Sequence, residues 1–182
     1  MWIIIVIVVI VAILLLLVGL YNNLVTLKMR VKNAWAQIDT QLKRRFDLIP
    51  NLIETVKGYA THEQETLEKV VDARNTYVTA SSVEAKADAN NQLTNTLKNL
   101  FALAESYPDL KANENFLALQ TELSGTEDKI AYSRQFYNDT VQMYNTAIMK
   151  FPANLFSGMF GFKEEPFFEI NEAEKDPVKV QF

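Results

Sequence analysis

The sequence predicts an all-α protein: an N-terminal transmembrane helix followed by an antiparallel up-and-down four-helix bundle. Three observations carry this expectation. Residues 1–20, MWIIIVIVVIVAILLLLVGL, hold no charge at all. Beyond them, apolar residues recur every three or four positions over long runs, the period of a helix with one buried face. The chain of 182 residues has five Gly and five Pro, too few for the turns of a many-stranded β protein or for a glycine-rich phosphate loop. The expected organisation is an anchor over residues 1–20, a bundle over 21–151 and a Phe-rich segment with a polar tail over 152–182. Residues 21–182 suffice for one ordinary core.

At ~1.5 Å per residue, a helix of about 20 apolar residues spans a hydrocarbon layer of ~30 Å. A cleavable signal would carry a basic start and a small-residue cleavage site, and neither surrounds Val18-Gly19-Leu20-Tyr21, so the segment reads as an uncleaved anchor. Trp2 and Tyr21 stand at its two ends, where amphipathic aromatics favour the headgroup layer. No Lys or Arg precedes it, whereas Lys28, Arg30, Lys32, Lys43, Arg44 and Arg45 follow against Asp39 and Asp47. The positive-inside rule then places the rest of the chain in the cytoplasm. Lys28, Arg30 and Lys32 are near enough to meet anionic headgroups. On an upright helix Lys43 to Arg45 lie ~35 Å or more from the anchor's end, so they meet headgroups only if the bundle lies down, or they face a partner instead.

The first helix carries Leu24, Leu27, Val31, Trp35, Ile38, Leu42 and Phe46 on one stripe. Its first break is at Asp47-Leu48-Ile49-Pro50, read either as a tight turn between helices or as a kink, because the spacing continues in phase across the proline. A second helix follows with Leu52, Ile53, Val56, Leu67, Val70 and Tyr77, tolerating Gly58 and ending near Thr79-Ala80. Ser81-Ser82-Val83-Glu84 fits a capping box with Ser81 as the cap. Ala89, Leu93, Leu97 and Leu100 then mark a third helix. The last begins near Pro108, carries Phe116, Leu123, Ile130, Tyr137, Val141, Tyr144 and Ile148, and ends at Phe151-Pro152. Ser124-Gly125-Thr126-Glu127 predicts a bend or an irregular turn within it. Short connections between consecutive helices favour antiparallel neighbours.

Six of the eleven Phe residues fall between 151 and 168, beside Gly158, Gly161 and Pro166. Such a segment either folds back over the end of the bundle or touches membrane or a partner. Phe156, Phe160 and Phe162 are the candidate contact residues. Residues 171–177 read as a polar, poorly ordered tail.

Catalytic chemistry has little to stand on. The chain has no Cys and one His, which removes thiolate and multi-histidine metal sites and Cys nucleophiles. A bundle-type di-iron centre needs two Glu-x-x-His pairs, and the residue three before His62 is Tyr59. Thr66 breaks the H-E-x-x-H pattern, and no G-x-S-x-G, Walker or G-x-G-x-x-G motif is present. The expectation is a non-enzyme without cofactor, metal or evident small-molecule substrate. Eighteen Lys+Arg against 22 Asp+Glu give a net charge of −4, which with no basic-aromatic motif argues against nucleic acid. Arg74, Glu127 and Arg134 fall on apolar stripes, either as a polar core layer that sets helix register or as side chains that snorkel at the bundle edge.

Specific runs carry a resemblance. Arg30-Val-Lys-Asn-Ala-Trp35-Ala-Gln-Ile-Asp39, Gln41 to Tyr59, Tyr107-Pro-Asp-Leu-Lys-Ala112, Phe116-Leu-Ala-Leu-Gln120, Tyr137-Asn138, Tyr144-Asn145 and Phe151-Pro152 closely resemble the LemA family of bacterial membrane proteins. The resemblance implies an anchor followed by a helical bundle. It implies a role in membrane organisation, including biogenesis of a bacterial organelle, and supplies no catalytic residues. The expected function is a membrane-anchored scaffold whose partners are membrane lipid and a protein or a second copy. The rival is a regulatory or adaptor subunit of a membrane metallopeptidase or signalling complex.

Overall fold

A run of apolar residues with nothing to pack against still forms a helix when its amides and carbonyls satisfy one another, and residues 2–20 do so. In the computed structural model, which describes residues 1–60 and 63–169, they begin α1 (Trp2–Asp47) and their large side chains are exposed. The segment is long and apolar enough to cross a membrane. The other helices are α2 (Ile49–Lys57), α3 (Gln64–Thr79), α4 (Val83–Ala104), α5 (Pro108–Lys111) and α6 (Glu114–Met149), followed by a 3-10 turn at Ala153–Leu155. Among the described residues there is no strand, so the protein is all-α.

The chain divides into two compact units. The first comprises Met1–Ala36 and Gln135–Pro166, the second Gln37–Arg134 and the residues from Phe167 onward. In the first, Leu24, Val31 and Ala34 of α1 are buried, as are Tyr137, Val141, Tyr144 and Ile148 of α6. Trp35, expected in the buried stripe, is half-buried with its ring 5.7 Å from that of Tyr137.

In the second unit, Ile38, Leu42 and Phe46 continue the stripe and meet the buried faces of the other helices. The Phe46 ring stacks on Tyr77 at 4.0 Å, and α3 packs against α2 and α4. Pro50 marks a kink, not a corner. Leu48 stays right-handed helical (φ −77°, ψ −21°), and the Leu52 amide donates to its carbonyl at 3.1 Å. Pro50 lies in the first turn of α2, where its missing N–H removes one ladder bond without ending the helical path. The corner falls instead after Gly58, so the helix expected from the proline to Thr79 is two helices. The Tyr59 and Ala60 amides turn back to the Val56 carbonyl at 3.0 and 2.9 Å, and Ala60 is buried at the bend. His62 lies outside the described residues, as does the polar tail.

Two further expectations are corrected. The last helix begins at Glu114 because Asn113 caps it, its Oδ1 accepting the Phe116 amide at 3.0 Å. Pro108 starts only the one-turn α5. No irregular turn interrupts α6 at Gly125. Leu123, Thr126 and Ile130 are buried on either side of it, and burial on both flanks outweighs the ~1 kcal/mol helix cost of one glycine.

The cap of α4 is Ser82, one residue beyond the expected Ser81. Its hydroxyl accepts the Ala85 amide at 3.1 Å from an extended backbone. Ser82→Ala is expected to cost ~1 kcal/mol of stability and Ser81→Ala close to nothing. Paired thermal melts followed by circular dichroism check the difference.

Candidate membrane-proximal interface

The last polar-aromatic residue of the apolar stretch organises the end of the first unit. The Tyr21 ring receives Phe160 and Phe162 edge-on, with centroids at 5.3 and 5.7 Å. Those two residues flank Gly161, whose φ of +74° only glycine adopts without strain. This positive φ lets the chain reverse and aim both rings at one partner, and the Phe162 amide closes the turn on the Ser157 carbonyl at 2.9 Å. The three candidate contact residues therefore separate. Phe162 is buried, Phe156 half-buried, and Phe160 exposed over 42 % of its surface. The side chains most exposed in this turn are ones that a search for Phe alone passes over or leaves out: Phe151 (80 %), Leu155 (59 %) and Met159 (81 %). An open groove of about 560 Å³ adjoins them, with Leu24, Leu27, Met143 and Ala147 in its wall and Asn23 and Lys150 among its polar groups.

The candidate lipid-facing cations separate too. Arg30 and Lys32 are exposed. Lys28 is half-buried, 3.7 Å from the Glu165 carboxylate and 6.0 Å from the centre of the Phe162 ring.

After the turn, residues 163–166 run along α6 as a strap held by its main chain. The Tyr144 hydroxyl donates to the Lys163 carbonyl at 2.9 Å and the Tyr137 hydroxyl to the Pro166 carbonyl at 2.8 Å. Between them, Asn145 takes both backbone groups of Glu165: Nδ2 donates to the carbonyl and Oδ1 accepts the amide, each at 2.9 Å. Burial raises the Tyr144 phenol above its ordinary pKa, and the Glu165 charge adds to the rise. The phenol thus stays a donor. Positions 137, 144 and 145 lie seven and eight apart, so one face of α6 presents all three. The repeated Tyr-Asn pairs of the sequence have a structural purpose here.

A polar cluster does occupy the second unit, but its centre is Arg45. This residue is 3 % exposed; its Nη1 donates to Asn90 Oδ1 at 2.6 Å and to Thr94 Oγ1 at 3.0 Å, and pairs with Glu127 Oε2 at 2.6 Å. Glu127 is thus brought to an arginine of α1. Arg74 and Arg134 are half-buried, and Arg74 holds a buried Nε without a hydrogen-bond partner among the described residues. Asp39 takes Lys86 and the Tyr77 hydroxyl. Burial, and then the Asp39 charge, push that phenol far above its ordinary pKa. Sequence reasoning grouped Arg45 with the exposed cations because its immediate neighbours are basic. The missed signal lies in α4, where Asn90 and Thr94 sit four apart beside Leu93 and Leu97, polar groups on an apolar face that need a buried partner.

Among the described residues no three His, Asp or Glu side chains gather as a metal site. Comparison with known proteins points to one family. A model described as the LemA family matches residues 34–182. Protein LemA of Metamycoplasma hominis is 29 % identical over 166 residues, covering 88 % of this chain and 74 % of the relative. Magnetosome protein MamQ 2 of Paramagnetospirillum magneticum is 26 % identical over 184 residues, covering 87 % of this chain and 68 % of the relative. Magnetosome protein MamQ of Magnetospirillum gryphiswaldense is 25 % identical over the same span.

Proposed function

The chain belongs to the LemA family, and from that premise we propose that it is a membrane-anchored, non-enzymatic scaffold that ties a helical domain to a bacterial inner membrane. One observation carries the reading. Along the single helix α1, residues 2–18 expose their large apolar side chains, whereas Leu24, Val31, Ile38, Leu42 and Phe46 bury theirs. A helix whose first part has only solvent to face, and whose second part belongs to a folded core, couples that core to a bilayer. The residue inventory, with no Cys and a single His, supports binding over catalysis. The magnetosome relatives agree with a role in membrane organisation.

In this proposal the helical domain faces the cytoplasm, and exposed Arg30 and Lys32 just after the span support that orientation. With no native cysteine, Ser81→Cys provides a unique label in an exposed connection. It is expected to resist a membrane-impermeant maleimide in intact cells and to react after lysis. Ready labelling of intact cells reverses the orientation.

Crosslinking in intact membranes with mass spectrometry tests the scaffold itself. A dominant product between copies of this chain supports it. A fixed product with one other protein replaces it by an adaptor subunit.

A further inference from the structure

We propose that the turn between α6 and the strap, residues 151–160, dips into the bilayer as a second membrane contact, led by Phe151, Leu155 and Met159. The inference rests on reading residues 2–20 as a membrane span.

Position argues first. Tyr21 directly follows that apolar stretch on the same helix, and Phe160 packs on its ring at 5.3 Å. A residue in ring contact with the end of a span lies at the height of the headgroups. The turn therefore meets the membrane surface without any motion of the chain.

Composition argues second. Phe151, Leu155 and Met159 are each more than half exposed, although the same turn buries Ala153 and Ser157. Several of its amides bond within the turn: Phe156 and Ser157 to the Ala153 carbonyl at 3.0 and 2.8 Å, and Phe160 to the Phe156 carbonyl at 3.1 Å. Each amide closed in this way enters a low-dielectric layer at reduced cost. Its protruding apolar side chains gain by leaving water. Its flanks are Lys150 and Lys163, long cations that can keep their ammonium groups at the phosphates while the turn inserts.

The occupant is a lipid bilayer and not a protein groove, because the turn adjoins the one segment among the described residues that itself calls for lipid.

Single cysteines at Leu155→Cys and Met159→Cys in the full chain, labelled with an environment-sensitive nitrobenzoxadiazole dye, test this in phosphatidylcholine vesicles with and without brominated acyl chains. Ile10→Cys reports on the span. Asn33→Cys, exposed on α1 and ~18 Å beyond Tyr21 at ~1.5 Å per residue, reports on water. The expected result is blue-shifted emission and at least twofold quenching by brominated lipid at positions 10, 155 and 159, with none at 33. Quenching at 10 but not at 155 or 159 overturns the proposal and leaves the anchor standing. Absence of quenching at position 10 overturns the anchor reading as well. Quenching confined to vesicles with anionic lipid would replace apolar insertion by attraction to the lysines, and overturns it too.

Discussion

Arg45→Ala is expected to lower the stability of the full chain by about 3 kcal/mol, whereas Arg44→Ala should change it by less than about 1 kcal/mol. The two arginines are adjacent, and each contacts a glutamate of α6 at a similar distance, Arg44 to Glu122 at 2.8 Å and Arg45 to Glu127 at 2.6 Å. Burial separates them. The Arg44 pair stands in water, with both side chains roughly half exposed, and exposed pairs are screened and cost side-chain entropy. Arg45 also satisfies Asn90 and Thr94. Truncating it leaves buried Asn90 Oδ1 without its donor and takes one of two bonds from the Thr94 hydroxyl, which keeps the Asn90 carbonyl; it also removes the partner of Glu127 and opens a cavity. The partial exposure of Glu127 keeps the loss toward the low end of the range for broken buried pairs. Denaturant unfolding of both variants in detergent, followed by far-ultraviolet circular dichroism, measures the difference; equal midpoints would remove Arg45 from the core.

Phe168→Ala is expected to cost ~3–5 kcal/mol, the usual loss for emptying a fully buried aromatic site. Its neighbour Phe167→Ala should cost less than about 1 kcal/mol. Phe168 is wholly buried in the second unit while Phe167 is 41 % exposed, and Asn91 Nδ2 donates to the Glu169 carbonyl just beyond at 3.4 Å. An unchanged unfolding midpoint for Phe168→Ala would mean that this aromatic contributes nothing to the core.

These contrasts show where linear information stops. Periodicity identified the apolar faces well: Leu24, Val31, Ile38, Leu42 and Phe46 are all buried, because a 3.6-residue repeat has one geometric solution. Corners were less legible. Pro50 looked like the stronger breaker, yet in the first turn of a helix its missing N–H costs little, and the chain turns at Gly58, where a buried Ala60 rewards the bend. Gly125 looked like a break and is not one, because both neighbouring turns are buried. Caps shifted by one residue at Ser82, since either serine could have presented its hydroxyl.

Partner choice within the site needed three dimensions. Arg45, Arg74 and Arg134 are chemically alike and all near apolar stripes, and only the placement of α4 beside α1 gives one of them Asn90 and Thr94. Among six clustered Phe, Phe162 and Phe168 are buried while Phe151 and Phe160 face outward, a division made by the positive φ of Gly161 and by the main-chain clamp of Tyr137, Tyr144 and Asn145. The helical class, the apolar N-terminal segment and the family were readable from the chain itself, because periodicity, hydrophobic length and motif are local properties. Which arginine is buried and which aromatics remain exposed depended on contacts between residues 19 to 141 positions apart, and no local pattern encodes those.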